Sequence, residues 1–134
     1  MPETEKILFA NETFYRAFAD RDFEAMEGLW SRSASVACIH PGWDVLTERQ
    51  AIMESWRAIF SNPNQPPIRF GNALAHLFGP VAFVTCNEAV ADSFLVATNF
   101  FRGEDGEWKL VHHQASPLPN PPRAFEQESA TARH

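Results

Sequence analysis

The sequence predicts a single α+β domain in which three N-terminal helices pack against a curved, mostly antiparallel sheet. Two observations support this fold class. Apolar residues recur mainly at helical spacing up to residue 61, whereas from residue 66 they recur at every second position, which is the repeat of a strand. Short turns join the later strands, so strands that follow one another must run antiparallel. A length of 134 residues suits one domain.

Two helices are predicted at the start of the chain. The first covers residues 4–20, because Ile7, Phe14 and Phe18 share one apolar stripe. Asp22 follows a short break and is a suitable N-cap for a second, shorter helix. The apolar residues of that second helix are Phe23, Met26, Leu29 and Trp30.

A strand and a third helix follow. Residues 35–40 are β-branched and apolar, which favours a strand, and Pro41 with Gly42 ends it. Thr47 is a good N-cap for the third helix, and Gln50 three residues later completes a capping box. The apolar face of this helix consists of Ile52, Met53, Trp56, Ile59 and Phe60.

Four more strands are predicted before the composition changes. Their predicted ranges are 68–78, 81–90, 94–102 and 107–116, with turns at residues 79–80 and 103–106. Prolines then become frequent, and proline blocks both a helix and a central strand. The sequence therefore predicts a folded domain over residues 1–117 and a proline-rich tail over residues 118–134, extended, disordered or packed on a neighbour.

Alternation along the strands predicts which side chains face the core. Lys109 and Arg102 should point outward, which turns their sequence neighbours inward. The inward sets are then Val36, Cys38 and His40 in the first strand, Ala97, Asn99 and Phe101 in the fourth, and Trp108, Leu110, His112, Gln114 and Ser116 in the last. These sets predict an apolar cavity with a few polar groups, the usual character of a small-molecule site.

His40 and His112 are the first candidates for catalysis, because imidazole titrates near neutral pH and can accept or donate a proton. Asp44 is the nearest acid to His40 and would orient that imidazole, or it is a solvated turn residue. Glu88 would be a general base if it faced inward, which alternation alone does not decide. The candidate ligand-binding residues are Tyr15, Trp43, Trp56, Asn99, Phe101 and Gln114.

Composition narrows the classes of partner. A net charge of −6 argues against a nucleic acid or an anionic membrane. Cys38 and Cys86 lie in apolar runs and read as buried free thiols, and the chain has no cysteine or histidine spacing typical of a metal site. The sequence shows no signal peptide, no phosphate loop and no dinucleotide motif. We therefore expect a cytoplasmic protein without a metal or cofactor.

The outer face of the sheet is the predicted interface. Ala82, Val84 and Cys86 share one side of their strand, and Val111 and Phe100 occupy outward positions by the same counting. Exposed apolar sheet surface usually has a partner. The sequence therefore predicts a homodimer that forms through the outer sheet face.

Several segments resemble SnoaL-like proteins of the nuclear transport factor 2-like (NTF2-like) superfamily. The segments are Cys38–Trp43, Leu46–Thr47, Ala51–Trp56, Ala97–Phe101 and Gly106–Ser116, and the resemblance covers about residues 5–117. It implies a cone-shaped α+β fold with a pocket at its open end, usually in a dimer. Superfamily members include isomerases, dehydratases, polyketide cyclases and epoxide hydrolases, as well as non-catalytic transport adaptors and the association domain of calmodulin-dependent kinase II.

Two functions are consistent with this resemblance. The first is binding of a small apolar molecule that bears a carbonyl or hydroxyl group, with isomerase, cyclase or dehydratase chemistry through histidine proton transfer. The second is a non-catalytic association module similar to the kinase domain. Tyr15 on the first helix resembles the oxyanion donor of ketosteroid isomerases, but the carboxylates that such a mechanism needs are not evident. Fold alone does not decide between these functions.

Overall fold

The structure, a computed structural model, describes residues 2–125. Its helices are α1 (Glu3–Asp20), α2 (Phe23–Leu29) and α3 (Arg49–Ser61). Its strands are β1 (Ala37–Ile39), β2 (Ile68–Phe78), β3 (Val81–Val90), β4 (Ser93–Glu104) and β5 (Glu107–Leu118), and a short 3₁₀ turn follows at Arg123–Phe125. Within this described part of the chain, no helix has the length and apolar character needed to cross a membrane.

The five strands form one sheet in the order β1-β5-β4-β3-β2. Neighbours from β2 to β5 pair antiparallel, and the short β1 pairs parallel with β5. The helices cover one face of this sheet, where Ile7 and Phe14 of α1 are fully buried. The predicted fold class, three helices against a curved and mostly antiparallel sheet, is confirmed.

Arg21 fixes the position of the loop that follows α3. It ends α1 in the left-handed conformation, with φ of 55°. Its guanidinium donates hydrogen bonds to the backbone oxygens of Phe60, Asn62 and Gln65, the last two at 2.8 Å each. Asp22 then caps α2 as predicted, because its side chain accepts a hydrogen bond from the backbone N–H of Ala25 at 3.1 Å.

The predicted capping box of α3 is wrong. The helix begins at Arg49, and its N-cap is Glu48, which makes no side-chain capping bond. The reason lies in the preceding segment, since Leu46 exchanges backbone hydrogen bonds of 2.8 and 2.9 Å with Cys38. This pairing keeps the chain extended past Thr47, so the helix starts later than the local sequence suggests.

A bulge in β5 reverses the predicted alternation of that strand. Phe100 pairs with His112 and Phe101 pairs with Leu110, which leaves Val111 as an extra residue. Because one inserted residue moves every later side chain to the other face, His113 faces the core instead of His112. The predicted inward positions of His112, Gln114 and Ser116 are therefore wrong.

The structure decides which face of β3 points inward. Ala82, Val84 and Cys86 belong to the buried core, so they do not form an outer surface. Glu88 continues this inward set and is 3% exposed. The inward prediction for β4 is confirmed, because Ala97, Asn99 and Phe101 are each at most 1% exposed.

The chain returns to the sheet after β5. The predicted tail over residues 118–134 starts at Leu118, the last residue of β5. Phe125 in the 3₁₀ turn is buried, and its ring centre lies 5.9 Å from that of Phe94. Gly71 of β2 allows this close approach, because a Cβ there would lie only 3.2 Å from the Cβ of Ala124. Residues 126–134 lie outside the described residues.

Candidate functional site

A cavity of about 620 Å³ opens where α1 and α3 meet the β3–β4 hairpin. This volume is in the range that holds a small organic ligand. Most of its lining is apolar and includes Phe18, Ile59 and Leu95. Its buried polar lining residues are His40, Glu88 and His113, and its more exposed polar lining residues are Asn62, Gln65 and Ser93.

Glu88 supplies the only carboxyl group among the described residues that line this cavity. Its Oε2 accepts a hydrogen bond of 2.6 Å from the hydroxyl of Tyr15. Burial raises the pKa of Glu88 to about 7, and the bond from Tyr15 acts in the opposite direction. Near neutral pH this side chain can therefore both accept and release a proton.

Tyr15 lies behind Glu88 and is not itself part of the cavity lining among the described residues. Its ring stacks on Phe70 with centres 4.6 Å apart, and its hydroxyl also lies 3.2 Å from Sγ of Cys86. Burial, followed by the nearby charge of Glu88, raises the pKa of Tyr15 well above 10. Tyr15 therefore remains a neutral phenol that donates its hydrogen to Glu88.

Asn99 connects His113 to Tyr15 inside the core. Its Oδ1 lies 2.6 Å from Nδ1 of His113, and its Nδ2 donates to Oδ1 of Asn11 at 2.9 Å and to the hydroxyl of Tyr15 at 3.3 Å. Asn99 is fully buried and is not part of the described cavity lining. A chain of hydrogen bonds thus runs from His113 through Asn99 and Tyr15 to Glu88.

His40 directly follows β1 and lies on another wall of the cavity. Its Nε2 lies 2.8 Å from Oγ of Ser55, and Ser55 donates its own hydrogen to the backbone oxygen of Ile52 at 2.6 Å. Since Ser55 has one hydrogen, Nε2 of His40 must be the donor in the first bond. The rings of Trp43 and Trp56 contact His40 edge-on, with centres 4.9 and 4.8 Å away.

Both buried imidazoles are neutral at neutral pH. Burial lowers the pKa of His40 to about 4. Burial is also the main reason that the pKa of His113 falls to about 3, with smaller contributions from His40 and His112. Within residues 2–125, no group of three or more His, Cys, Asp or Glu side chains is placed to hold a metal ion.

Of the three predicted catalytic residues, only His40 lines the cavity. His112 is half-buried on the outer face of the sheet, so the prediction that it shares a hollow with His40 is wrong. His113 takes that place, with its ring centre 6.5 Å from that of His40. Asp44 is exposed, and its carboxylate accepts a bond of 2.8 Å from the backbone N–H of Val45, so it stabilises a turn and does not orient the imidazole.

The predicted ligand-binding residues divide into three groups. Trp43 lines the cavity and is 49% exposed, so it lies at the mouth. Gln114 is exposed on the outside of the sheet, where the bulge has placed it. The remaining four are buried and lie behind the described lining: Tyr15, Trp56, Asn99 and Phe101.

Glu88 and His113 are the buried polar lining residues that the sequence did not assign to the site. Glu88 carried a signal, since a carboxyl group in the apolar run 81–90 is costly unless it is paired or functional. Alternation left its side open, and Asn87 next to it is also buried. His113 carried no separate signal, because nothing in the local sequence marks the bulge at Val111.

Comparisons with known proteins agree with this architecture. A family model described as a SnoaL-like domain matches residues 7–121. A candidate dehydratase of the NTF2-like family from Streptomyces avermitilis is 32% identical, with a TM-score of 0.78 and coverage of 88% of this chain and 97% of that chain. A candidate calcium/calmodulin-dependent protein kinase type II association domain from Thiobacillus denitrificans is 30% identical, with a TM-score of 0.73 and coverage of 81% and 92%.

More distant proteins share the fold or part of the sequence. An NTF2-like protein from Cytophaga hutchinsonii, 17% identical with a TM-score of 0.71 over 88% of this chain and all of its own, supports the fold alone. The F-box protein SKIP8 from Arabidopsis thaliana is 28% identical over 116 residues, which are 84% of this chain. The chain spans about half the length, 50%, of that curated relative.

Proposed function

This chain belongs to the SnoaL-like family of the NTF2-like superfamily, and from that premise we propose that it binds a small uncharged molecule and moves a proton on it through Glu88. The proposed ligand is apolar and carries a carbonyl or hydroxyl group. The observation that carries this proposal is the buried carboxyl group at the cavity, which Tyr15 holds at 2.6 Å and whose pKa is raised to about 7. The proposed chemistry is a dehydration or isomerisation without a cofactor.

Glu88 is a better proton-transfer group than either histidine of the cavity. A general acid or base works best when its pKa lies near the working pH. Burial lowers the pKa of His40 to about 4 and that of His113 to about 3, so both are weak bases, and at neutral pH neither is an imidazolium that could act as a general acid. The imidazoles therefore contribute hydrogen bonds, while Glu88 transfers the proton.

Glu88 alone can carry the proton through a complete dehydration reaction at this site. The ionised carboxylate removes a proton from the carbon next to the ligand carbonyl, which leaves an enolate. The enolate then expels the β-hydroxyl group, and Glu88 gives its proton to that leaving oxygen to form water. One C–H bond and one C–O bond break, a C=C bond forms, and Glu88 returns to its starting state.

The charge of the cavity supports an uncharged ligand. Among the described residues that line it, none is Lys or Arg, and Glu88 is the one acid. An anionic ligand would be repelled by an ionised Glu88 in a site where burial strengthens electrostatic effects. The similar Streptomyces avermitilis protein, a candidate dehydratase, is consistent with this class of chemistry.

A dehydration assay tests the proposal. The probe is the β-hydroxyketone formed from benzaldehyde and acetone, and its product, benzylideneacetone, is followed by ultraviolet absorbance. We expect Glu88→Gln to lower the rate above background by about 10²- to 10⁴-fold, the usual contribution of general acid–base catalysis. Glu54→Gln, which changes an exposed carboxylate on α3, is the control. Wild-type activity that survives Glu88→Gln would contradict the proposal.

An association role has its own supporting observation, a row of rings on the outer face of the sheet. His76 stacks on Phe83, Phe83 lies beside Phe100, and Phe100 lies beside His112, with centres 4.4, 5.1 and 6.1 Å apart. Phe78 extends this row and is 60% exposed. We propose that this aromatic row is the contact surface of a homodimer.

The aromatic row contains Phe100 of the outer surface that the sequence predicted, whereas Ala82, Val84 and Cys86 of that surface are buried in the core. Its members come from four strands, and they face away from the cavity. Dimerisation and ligand binding therefore use opposite faces of the sheet and do not compete. The similar Thiobacillus denitrificans protein, a candidate association domain, is consistent with assembly through this fold.

A further inference from the structure

We propose that Asn99 is a positioning residue that holds His113 as a hydrogen-bond acceptor, so that this point of the cavity selects a hydroxyl group on the ligand. The inference rests on the proposed ligand-binding function and assigns the polar group that the ligand must present. Asn99 itself does not touch the ligand. Its role is to fix which ring nitrogen of His113 carries the hydrogen.

The direction of the hydrogen-bond chain follows from Tyr15. A phenol has one hydrogen, and that of Tyr15 goes to Oε2 of Glu88 at 2.6 Å. Towards Asn99, Tyr15 can therefore act only as an acceptor, so the group that faces it at 3.3 Å must be the amide nitrogen. The second hydrogen of the same nitrogen goes to Oδ1 of Asn11 at 2.9 Å.

The orientation of Asn99 in turn sets the tautomer of His113. With its nitrogen committed to Tyr15 and Asn11, the amide presents its oxygen to Nδ1 of His113 at 2.6 Å. An amide oxygen accepts, so Nδ1 carries the hydrogen. A neutral imidazole carries only one, which leaves Nε2 of His113 with a free lone pair.

The edge of the His113 ring that carries Nε2 faces the cavity. His113 is 2% exposed and lines the cavity, while its Nδ1 is turned towards Asn99 in the core. Nε2 is therefore the ring nitrogen available to a ligand, and it can only accept. A hydroxyl group of the ligand can donate a hydrogen bond to Nε2. An ether or a carbonyl oxygen at the same place has no hydrogen to donate, so its lone pair and that of Nε2 would face each other without a hydrogen between them.

The tautomer is measured directly on the ligand-free protein by two-bond ¹⁵N–¹H correlation of the histidine rings at neutral pH. The His113 signals are assigned as those lost in His113→Gln. We expect a protonated Nδ1 and an unprotonated Nε2, the reverse of the form that free histidine prefers. A protonated Nε2 would overturn the inference and would leave the proton-transfer role of Glu88 untouched.

Asn99→Asp tests whether Asn99 sets this state. A carboxylate beside His113 favours its charged form, so both ring nitrogens should become protonated. Asn87→Asp is the matched control, because Asn87 is also buried but bonds to Asn72 at 3.4 Å. The tautomer of His113 should be unchanged in that control. An unchanged His113 in Asn99→Asp would overturn the positioning role, and the wild-type spectrum decides the tautomer even if this variant does not fold.

A matched pair of probes tests whether the cavity selects a hydroxyl group on the ligand. Cinnamyl alcohol and cinnamyl methyl ether differ only in the hydroxyl hydrogen and a methyl group, and their dissociation constants are compared by ligand-observed NMR. We expect the wild type to bind the alcohol about tenfold more tightly, the usual effect of one hydrogen bond to a buried acceptor. Asn99→Asp should lose this preference. Equal affinities in the wild type would overturn the hydroxyl assignment, and no binding of either probe would overturn both that assignment and the proposed ligand-binding function.

Discussion

Tyr15 of α1 donates a hydrogen bond of 2.6 Å to Glu88 of β3, and both side chains are buried. The bond joins the first helix to the middle of the sheet across 73 positions of sequence. Since the pKa of Tyr15 is raised well above 10, the phenol does not lose its proton to Glu88. Glu88 is thus the member of the pair that changes charge near neutral pH, which gives the site its proposed chemistry.

The free energy of unfolding of the domain should depend on pH through the protonation of Glu88. A carboxyl group whose pKa is raised on folding binds its proton more tightly in the native state, so its contribution to stability falls as pH rises from about 4.5 to about 7. Glu88→Gln lacks this dependence. We expect the free energy of unfolding of the variant, relative to wild type, to increase by about 3 kcal/mol over this window, as measured by urea denaturation.

The matched control for this experiment is Glu54→Gln, which removes an exposed carboxylate on α3. The increase measured for Glu88→Gln should exceed any change that this control shows over the same range of pH. A Glu88→Gln difference that stays constant would mean that Glu88 titrates as an ordinary carboxyl group, contrary to its buried environment.

His40 should make the domain sensitive to acid. Its pKa is lowered from 6.5 to about 4, so below pH 6.5 the unfolded chain takes up a proton that the native state does not. Its contribution to stability is therefore lost as pH falls. Between about pH 6.5 and about pH 5, we expect wild type to lose about 2 kcal/mol relative to His40→Gln. A stability difference between the two proteins that stays constant over this range of pH would contradict the effect of burial on His40.

Narrowing the cavity mouth should block ligand binding without unfolding the protein. Ala58 is an exposed residue of α3 that lines the cavity, so Ala58→Trp places a large side chain in the opening. We expect about a tenfold or greater loss of affinity for cinnamyl alcohol, with little change in thermal stability. Glu54→Trp puts the same side chain elsewhere on α3 and should bind normally. Undiminished binding by Ala58→Trp would place the ligand somewhere else on the protein.

The aromatic row on the outer face should determine the oligomeric state. Phe83 lies in its centre, so Phe83→Asp introduces a charge into the proposed dimer contact. Analytical ultracentrifugation should show a dimer for wild type and a monomer for this variant. Phe9→Asp, which alters a residue of α1 that is 58% exposed on the helix side, should remain a dimer. A wild type that is monomeric at all concentrations tested would refute this interface.

The architecture was predictable because its signals are repetitive and local. The stripe formed by Ile7, Phe14 and Phe18 and the alternation of β4 persist over many residues, so one irregular position does not obscure them. The start of α3 was less predictable. There, pairing between Cys38 and Leu46 overrode the capping signal at Thr47, and pairing between distant segments is not visible in a short window.

The candidate site was only partly predictable, because it depends on which face each strand presents. His40 and Trp43 line the cavity, and both follow closely after the short strand β1. The extra residue Val111 exchanged the roles of His112 and His113, and an insertion of one residue leaves no compositional trace. The partner of Glu88, Tyr15, lies on a distant helix, so only the packed structure brings the two together.

The proposed proton transfer depends on the protonation of Glu88 near neutral pH, which its side-chain ¹³C carboxyl signal measures. The signal is assigned by its absence in Glu88→Gln and followed as pH is raised through the neutral range. We expect a titration midpoint of about 7. A midpoint near the ordinary value of 4.5 would show a carboxylate that is fully ionised at neutral pH, and it would contradict the proposed proton transfer.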